Sequence, residues 1–492
     1  MNEPRLSRRA WFERMAGGLY GAALASLFRG DSGPTTRTLA SEVVETKPTG
    51  VAHPSANLKP RLPHFPANAR AVIQLFMNGG PSQVDLFDPK PMLDKHHGEP
   101  YFEKIAGEVE NVNAAGSILR SPFKFSQHGR SGIWMSELLP CLAHQADELA
   151  VIRSMFTANL THEPALYLIH SGQMRSGFPC LGSWVAYGLG TENQNLPAYV
   201  VLDDPAGLPV NGVENWASGF LPPVFQGTRF RSKGTPVLNL HPDQEDPPAV
   251  SPLARDFLSR LDRMHRDARP HQPQLEARLS SYELAARMQL AAAEALEISK
   301  EPSTTRQLYG IDREPTDSYG RRCLLARRLV ERGVRFVQIF INGQIWDHHT
   351  GIVSGLRSAC QKTDQPIAAL LQDLKQRGLL ESTLVVWGGE FGRLPIAQLP
   401  EDKSEANAGR DHNKNAFTTW MAGAGIKGGA VVGTTDDLGF AAVGHKVSVP
   451  DWHATILHLI GLNYEDLFYA RNGLKERLTG VAEAKVIREI LA

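Results

Sequence analysis

Oxygen and imidazole ligands recur along this chain in short, widely separated clusters. The first holds Asn78, a Gly-Gly-Pro turn, Asp85 and Asp88. Then come Thr161-His162-Glu163, Asp347-His348-His349, Glu390 in a Gly-rich turn with Arg393, Asp411-His412, and Asp451-Trp452-His453. Carboxylates combined with imidazoles are the ligand set of Zn²⁺, Mn²⁺ or Fe, and oxygen-rich sets favour Ca²⁺ or Mg²⁺. Asp85, Asp347, His349, Glu390, Asp411, His412 and His453 are therefore the candidate metal ligands. Each has an ordinary alternative. Asp347-His348-His349 and Asp411-His412 also read as polar loops, Asp85 and Asp88 as turn residues, and His453 as a core histidine on an apolar helix. Glu390 could cap a helix. His170 and His458 read as helix-packing residues. Arg153 and Arg393 are candidate anion clamps, because guanidinium meets phosphate or sulfate bidentately.

The elements that must position these groups are legible too. Short apolar runs at Ala71–Met77, Leu149–Ile152, Ala198–Leu202, Val334–Ile341, Thr383–Trp387 and Phe417–Met421 predict strands buried on both faces. Helical stretches separate them at Arg278–Lys300, Arg321–Arg332, Ile367–Arg377 and Asp451–Leu462, the last opening on Pro450-Asp451. The stretch from Asp203 to Arg278 is Pro-rich and reads as loops decorating the sheet. Strands alternating with helices predict a doubly wound α/β fold, with a mostly parallel sheet and helices on both faces. Ligands in such sheets bind beyond the carboxyl ends of the strands. Nearly every cluster sits at a strand exit, so the clusters converge if the fold forms as read.

Composition narrows the class. Basic residues number 52 and acidic residues 52, so no overall charge points to nucleic acid. Hydrophobic residues make up 42% of the chain, which excludes a disordered one. The four cysteines, Cys141, Cys180, Cys323 and Cys360, form no C-x-x-C pair, so a structural zinc knot is not expected. At the start, Ser7-Arg8-Arg9-Ala10-Trp11-Phe12 precedes a Gly/Ala-rich apolar stretch, Met15–Phe28. That stretch has 14 residues, too few to span a bilayer, and paired arginines before it resemble a twin-arginine export signal. The expected organisation is a signal region over 1–40, a linker over 41–64, and one α/β domain over 65–492. The twin-arginine translocase is then a partner, and the periplasm or cell exterior the destination. The mature chain carries no expected membrane span.

The pieces MNGGPSQVDLFDPKP (77–91), THEPALYLIHSGQ (161–173), GSWVAYGLG (182–190), WDHH (346–349), GGEFGRLP (388–395), GRDHN (409–413) and PDWHATILHLIGL (450–462) resemble the DUF1501 family of exported bacterial proteins. The resemblance runs from Ala71 to Thr479. That family is grouped with the alkaline phosphatase and sulfatase superfamily. The grouping implies an alkaline-phosphatase-like sheet, a bimetal site and hydrolysis of phosphate or sulfate esters through an enzyme-bound intermediate. It implies a metal-binding Asp where this chain has Asn78, a neutral and weaker ligand. Asp347 and His349 match the middle Asp/His pair at shorter spacing. Glu390 falls where an Asp-His pair is usual, and His412 or His453 at the last histidine. The nucleophile position falls on His162, ten residues before Gly172, with Thr161 beside it. His162 could be a phospho-acceptor or a metal ligand, and Thr161 the catalytic hydroxyl. Cys180 lacks the C/S-x-P-S-R context of a formylglycine sulfatase. The implied function is an exported hydrolase that uses divalent Zn, Ca, Mg or Mn. Its substrate would be an anionic ester, with sulfated or phosphorylated polysaccharide among the candidates. The alternative is a non-catalytic descendant that binds carbohydrate or a partner.

Overall fold

Strand β1, Ala71–Phe76, has all six of its residues buried, which requires cover on both faces. The computed structural model of the chain describes residues 57–231, 250–269, 273–341 and 343–492. These lie in the compact unit His53–Ala492. The unit Met1–Ala52, the twin-arginine segment and residues 41–56 of the expected linker lie outside the described residues.

Eight more strands join β1: β2 (Leu149–Phe156), β3 (Tyr199–Leu202), β4 (Thr228–Phe230), β5 (Phe336–Phe340), β6 (Thr383–Gly388), β7 (Phe417–Ala422), β8 (Val431–Val432) and β9 (Val447–Ser448). Their order is β8-β2-β7-β6-β1-β5-β3-β4, with β9 also pairing β2. β1 runs parallel to β5 and β6, with Gln74 opposite Gln338 on one side and Val386 on the other. β3 runs parallel to β5 and β4. β7 alone is reversed, antiparallel to both β2 and β6. The carboxyl ends of β1, β2, β3, β5 and β6 therefore share one edge with the amino end of β7.

The principal helices are α1 (His162–Ser171), α2 (Leu181–Leu189), α3 (Val250–Asp267), α4 (Pro273–Leu296), α5 (Asp317–Glu331), α6 (Ile352–Gln376) and α7 (Val449–Leu459). α5 packs on β5 and β1, and α2 on β5 and β3. One apolar core runs from Leu58 to Ile490. A buried polar chain crosses it: the Tyr199 hydroxyl donates to Gln338 Oε1, and Gln338 Nε2 lies 3.2 Å from His170 Nδ1. His170 also packs on Phe76 and Phe340, the packing role expected of it. Cys180, Cys323 and Cys360 are buried free thiols, and Cys141 is free and half-buried.

The six expected strands are all present. The Asp203–Arg278 stretch differs from the loops expected. It adds edge strand β4 and the 18-residue helix α3. β4 has three residues, too few to show a period. α6 begins at Ile352, well before the expected Ile367, and holds Pro366 inside it. α7 is capped by Ser448, not Asp451. Asp451 instead sits at the third helical position and closes a capping box with Ser448.

Trp387 on β6 and Trp420 on β7 are register partners, with ring planes 3° apart and centroids at 6.0 Å. Trp420→Ala is expected to remove about 3–5 kcal/mol of stability by opening a cavity between these strands. Denaturant unfolding measures this, and a loss below about 1 kcal/mol would show that the strands repack freely.

Candidate metal centre

The site begins where β1 ends. Asn78 and Gly79 turn beneath the loop that follows β5. Gly79 has φ of +107°, and a Cβ there would lie 2.7 Å from the Asp347 amide, so only glycine lets the two loops approach this closely. Asp347 closes a turn, its amide donating to the Gln344 carbonyl at 2.8 Å.

Three imidazoles converge on the Asp347 carboxylate. His162 Nε2 lies 3.2 Å from Oδ2. His349 Nε2 lies 2.9 Å and His412 Nε2 3.2 Å from Oδ1. Each ring arrives from a different element. His162 opens α1 after β2, His349 follows β5, and His412 precedes the reversed strand β7. Phe391 packs against both His162 and His412, its ring centroid 4.8 and 4.3 Å from theirs. Ligand atoms of His162, Asp347, His349 and His412 all lie within 4.8 Å of one another. His348, between two of these, turns away against Gly355.

The outer nitrogen of each ring meets an oxygen acceptor. His162 Nδ1 is 2.7 Å from Glu390 Oε1, which also accepts from the Gly79 amide at 3.0 Å. His349 Nδ1 is 2.5 Å from Gln398 Oε1. His412 Nδ1 is 2.7 Å from the Leu160 carbonyl and 2.7 Å from Glu110 Oε2. Metal-binding histidines characteristically donate one N–H to such an acceptor, which leaves the other nitrogen free to ligate. All three rings point Nε2 inward on this pattern. A second group, Glu110, His349, Asp411 and His412, also lies within 4.8 Å, but its acids approach the outer Nδ1 atoms of the two histidines. The inner set of three imidazoles and Asp347 is thus the better cation cradle. Its nitrogen-rich donors suit Zn²⁺ better than Ca²⁺ or Mg²⁺.

Charge is concentrated here. Arg393 Nη2 lies 2.6 Å from Asp347 Oδ1. Burial works against the Asp347 carboxylate's charge, yet the three imidazoles and Arg393 hold its pKa far below the usual range. Burial disfavours the charged form of His162, but its bonds to Asp347 and Glu390 outweigh that and lift its pKa to about 9. Glu390 is buried, and its second oxygen has no hydrogen-bond partner among the described residues.

Several expected site residues lie elsewhere or act otherwise. Asp85 is not in the cluster: it forms a fully buried ion pair with Arg410, at 2.8 Å, and accepts from the Ser82 hydroxyl. Its neighbour Arg410 supplied the nearer charge. Arg393 donates to Asp347 and to the Gly79, Gly80 and Arg410 carbonyls, which leaves it a buried holder of Asp347 rather than a free anion clamp. Arg153 pairs with Asp88 at 3.9 Å, outside the cluster. His453 is wholly buried in α7, with Nε2 2.8 Å from the Ile169 carbonyl, the core role named as its alternative. Asn78 donates to the Ile341 carbonyl at 3.0 Å, and its buried Oδ1 has no partner among the described residues. Asp411 accepts from the Asn111 and His412 amides and so fixes the backbone beside His412. Thr161 is the exposed residue before α1, with no side-chain capping bond. The sequence reading did not find Glu110, Gln398 or Phe391. Glu110 and Gln398 lie in stretches without ligand spacing, and Phe391, though next to Glu390, is apolar; only the folded chain brings them to the rings.

A doubly wound α/β protein with imidazoles and acids gathered at the strand-end edge is the class that these observations define. The chain belongs to the family described as "Protein of unknown function (DUF1501)", whose model matches residues 69–491. No match was found among curated protein sequences. Three solved structures illustrate what the chain is similar to. The lipoteichoic acid synthase LtaP from Listeria monocytogenes has 10% identity over 84% of this chain and 78% of that one, with a TM-score of 0.38. The PsFucS1 sulfatase from Pseudoalteromonas sp. has 12% identity over 80% and 68%, with a TM-score of 0.35. Alkaline phosphatase from the Antarctic bacterium TAB5 has 12% identity over 73% and 92%, with a TM-score of 0.28.

Two predictions follow from the electrostatics. In metal-free protein, folded His162 keeps its proton up to about pH 9, whereas the unfolded residue releases it near 6.5. Its stabilising contribution is therefore complete below about 6.5 and lost as pH rises towards 9. Thermal unfolding in chelator should show Tm falling across that window, while Zn²⁺ affinity in a chelator competition rises; a flat or opposite trend contradicts the assignment. Asp85→Ala should cost about 3–5 kcal/mol, because it strands a buried guanidinium. Denaturant unfolding checks this, and a loss under about 1 kcal/mol would show that Arg410 finds another partner.

Proposed function

We propose that the protein is an exported, metal-dependent hydrolase of phosphate or sulfate esters. The observation that carries this reading is the inward orientation of three imidazole Nε2 atoms around Asp347, each ring anchored through Nδ1. His162, His349, His412 and Asp347 would hold a divalent cation. When bound, such an ion supplies Lewis-acid activation of water or of an ester oxygen. Arg393 keeps Asp347 ionised and oriented. Glu390 orients His162, and its second oxygen, without a partner among the described residues, is a candidate proton acceptor. Thr161 offers a solvent-facing hydroxyl at the amino end of the ten-residue helix α1, where the backbone favours an anion. Thr161 rather than His162 is the proposed nucleophile, because both nitrogens of His162 are engaged. The paired arginines Arg8 and Arg9 support export in the folded state.

That engagement of His162 also favours a second reading. A chain with a histidine at the nucleophile position could keep the cation cradle and bind a carbohydrate or partner without hydrolysis. Metal analysis and turnover of aryl phosphate, phosphodiester and aryl sulfate separate the two. The hydrolase reading expects stoichiometric metal, turnover lost on chelation, and Thr161→Ala inactive with its metal retained. Metal without turnover of any of these esters would favour the binding reading. Gln398→Ala should weaken metal affinity by about 10–100-fold, through loss of the acceptor that orients His349. An unchanged affinity would remove His349 from the ligand set.

A further inference from the structure

α1 connects the imidazole cluster to a second cationic feature. His162 begins the helix, Gly172 ends it in a left-handed turn, and Arg175 lies just beyond. The Arg175 guanidinium sits 5.1 Å over the Phe178 ring. Phe178 meets Phe220 edge-on at 5.7 Å, and the Arg471 guanidinium sits 5.3 Å over Phe220. Tyr469 stacks on Phe220 at 5.7 Å. Both arginines are exposed, and the rings beneath them are half-buried. Neither guanidinium has a carboxylate partner among the described residues.

We propose that Arg175 and Arg471 form a binding site for the sulfate or phosphate groups of an anionic polysaccharide, one helix length from the imidazole cluster. A ring beneath a guanidinium restrains it without neutralising its charge, and leaves its donor edges open for an oxyanion. Most exposed arginines must be ordered on binding; these two are already supported. They come from separate elements, the turn after α1 and the hairpin Tyr469–Glu476. Two restrained cations on adjoining rings suit a polymer with repeated charges, because the second contact then forms intramolecularly. The ring faces are occupied by the guanidiniums, so the site presents hydrogen-bond donors rather than a bare stacking platform. α1 is about 15 Å long, so a polymer could reach both this site and the cluster. The role as a substrate subsite rests on the ester-hydrolase reading; the binding itself does not.

The test is calorimetric binding of dextran sulfate, dextran phosphate and neutral dextran to the full chain, with and without chelator. One or both charged polymers should bind and neutral dextran should not, and which of the two binds identifies the ester group. R175A/R471A should bind about ten-fold more weakly or worse. R130A, which removes an exposed arginine elsewhere, should bind like the wild type. Aryl-ester turnover should be the same in R175A/R471A and wild type, because neither arginine touches the cluster. Equal polymer affinity in R175A/R471A and wild type overturns the proposal, as does binding to phosphatidylglycerol vesicles but to neither charged polymer. Polymer binding that depends on the two arginines, in a protein without ester turnover, would uphold the site while the hydrolase reading fails.

Discussion

The Asp347 carboxylate is the charge around which the strand-end edge is organised. It is mostly buried, and an isolated carboxylate in such a place would be neutralised or unstable. Three imidazoles and one guanidinium surround it instead. The consequence reaches outward ring by ring, because each imidazole needs an acceptor for its second nitrogen. Glu390, Gln398, Glu110 and the Leu160 carbonyl meet that need. One buried negative charge thereby dictates side chains on several separate elements. The rings that surround it are the same groups that a cation would recruit.

Topology explains how such distant residues meet. Parallel strands bring their carboxyl ends to one edge, so Asn78, His162, Asp347, His349 and Glu390 all follow strands. His412 breaks that pattern by preceding β7, and the reversal of β7 delivers it to the same place. Arg410, two residues earlier, anchors the segment through the buried pair with Asp85. Asp85 thus serves the site at one remove. It holds the backbone on which His412 is mounted, without facing the imidazoles itself.

How much of this was legible depended on how local the signal was. The long apolar strands were legible because burial on both faces leaves a nearly continuous apolar run, broken in Ala71–Phe76 by Gln74 alone. Asp347, His349 and His412 were legible because acids beside imidazoles at strand ends are an unusual composition. The assignments of Asp85, Arg153 and His453 rested on residue type alone. Each is a group with two uses, and a partner distant in the chain decides between them: Arg410 for Asp85, Asp88 for Arg153, the Ile169 carbonyl for His453. Glu110 and Gln398 were invisible for the converse reason. Nothing near them in the chain marks them, and their roles exist only once the rings arrive. Helix α6 runs through Pro366, a residue type that normally ends a helix, so much of it precedes the expected start at Ile367.

The span of the ligand set sets an order of events. His162 and His412 are 250 positions apart, so the cradle cannot exist before the central sheet has closed around both. Any ion capture would then follow closure of the sheet, and the surroundings at that moment would choose the ion, since tighter-binding copper or nickel would win wherever they are freely available. A chain that completes its sheet inside the cell would be provisioned from the buffered intracellular pool and carry that choice outward. One that completes it outside would be provisioned by the environment.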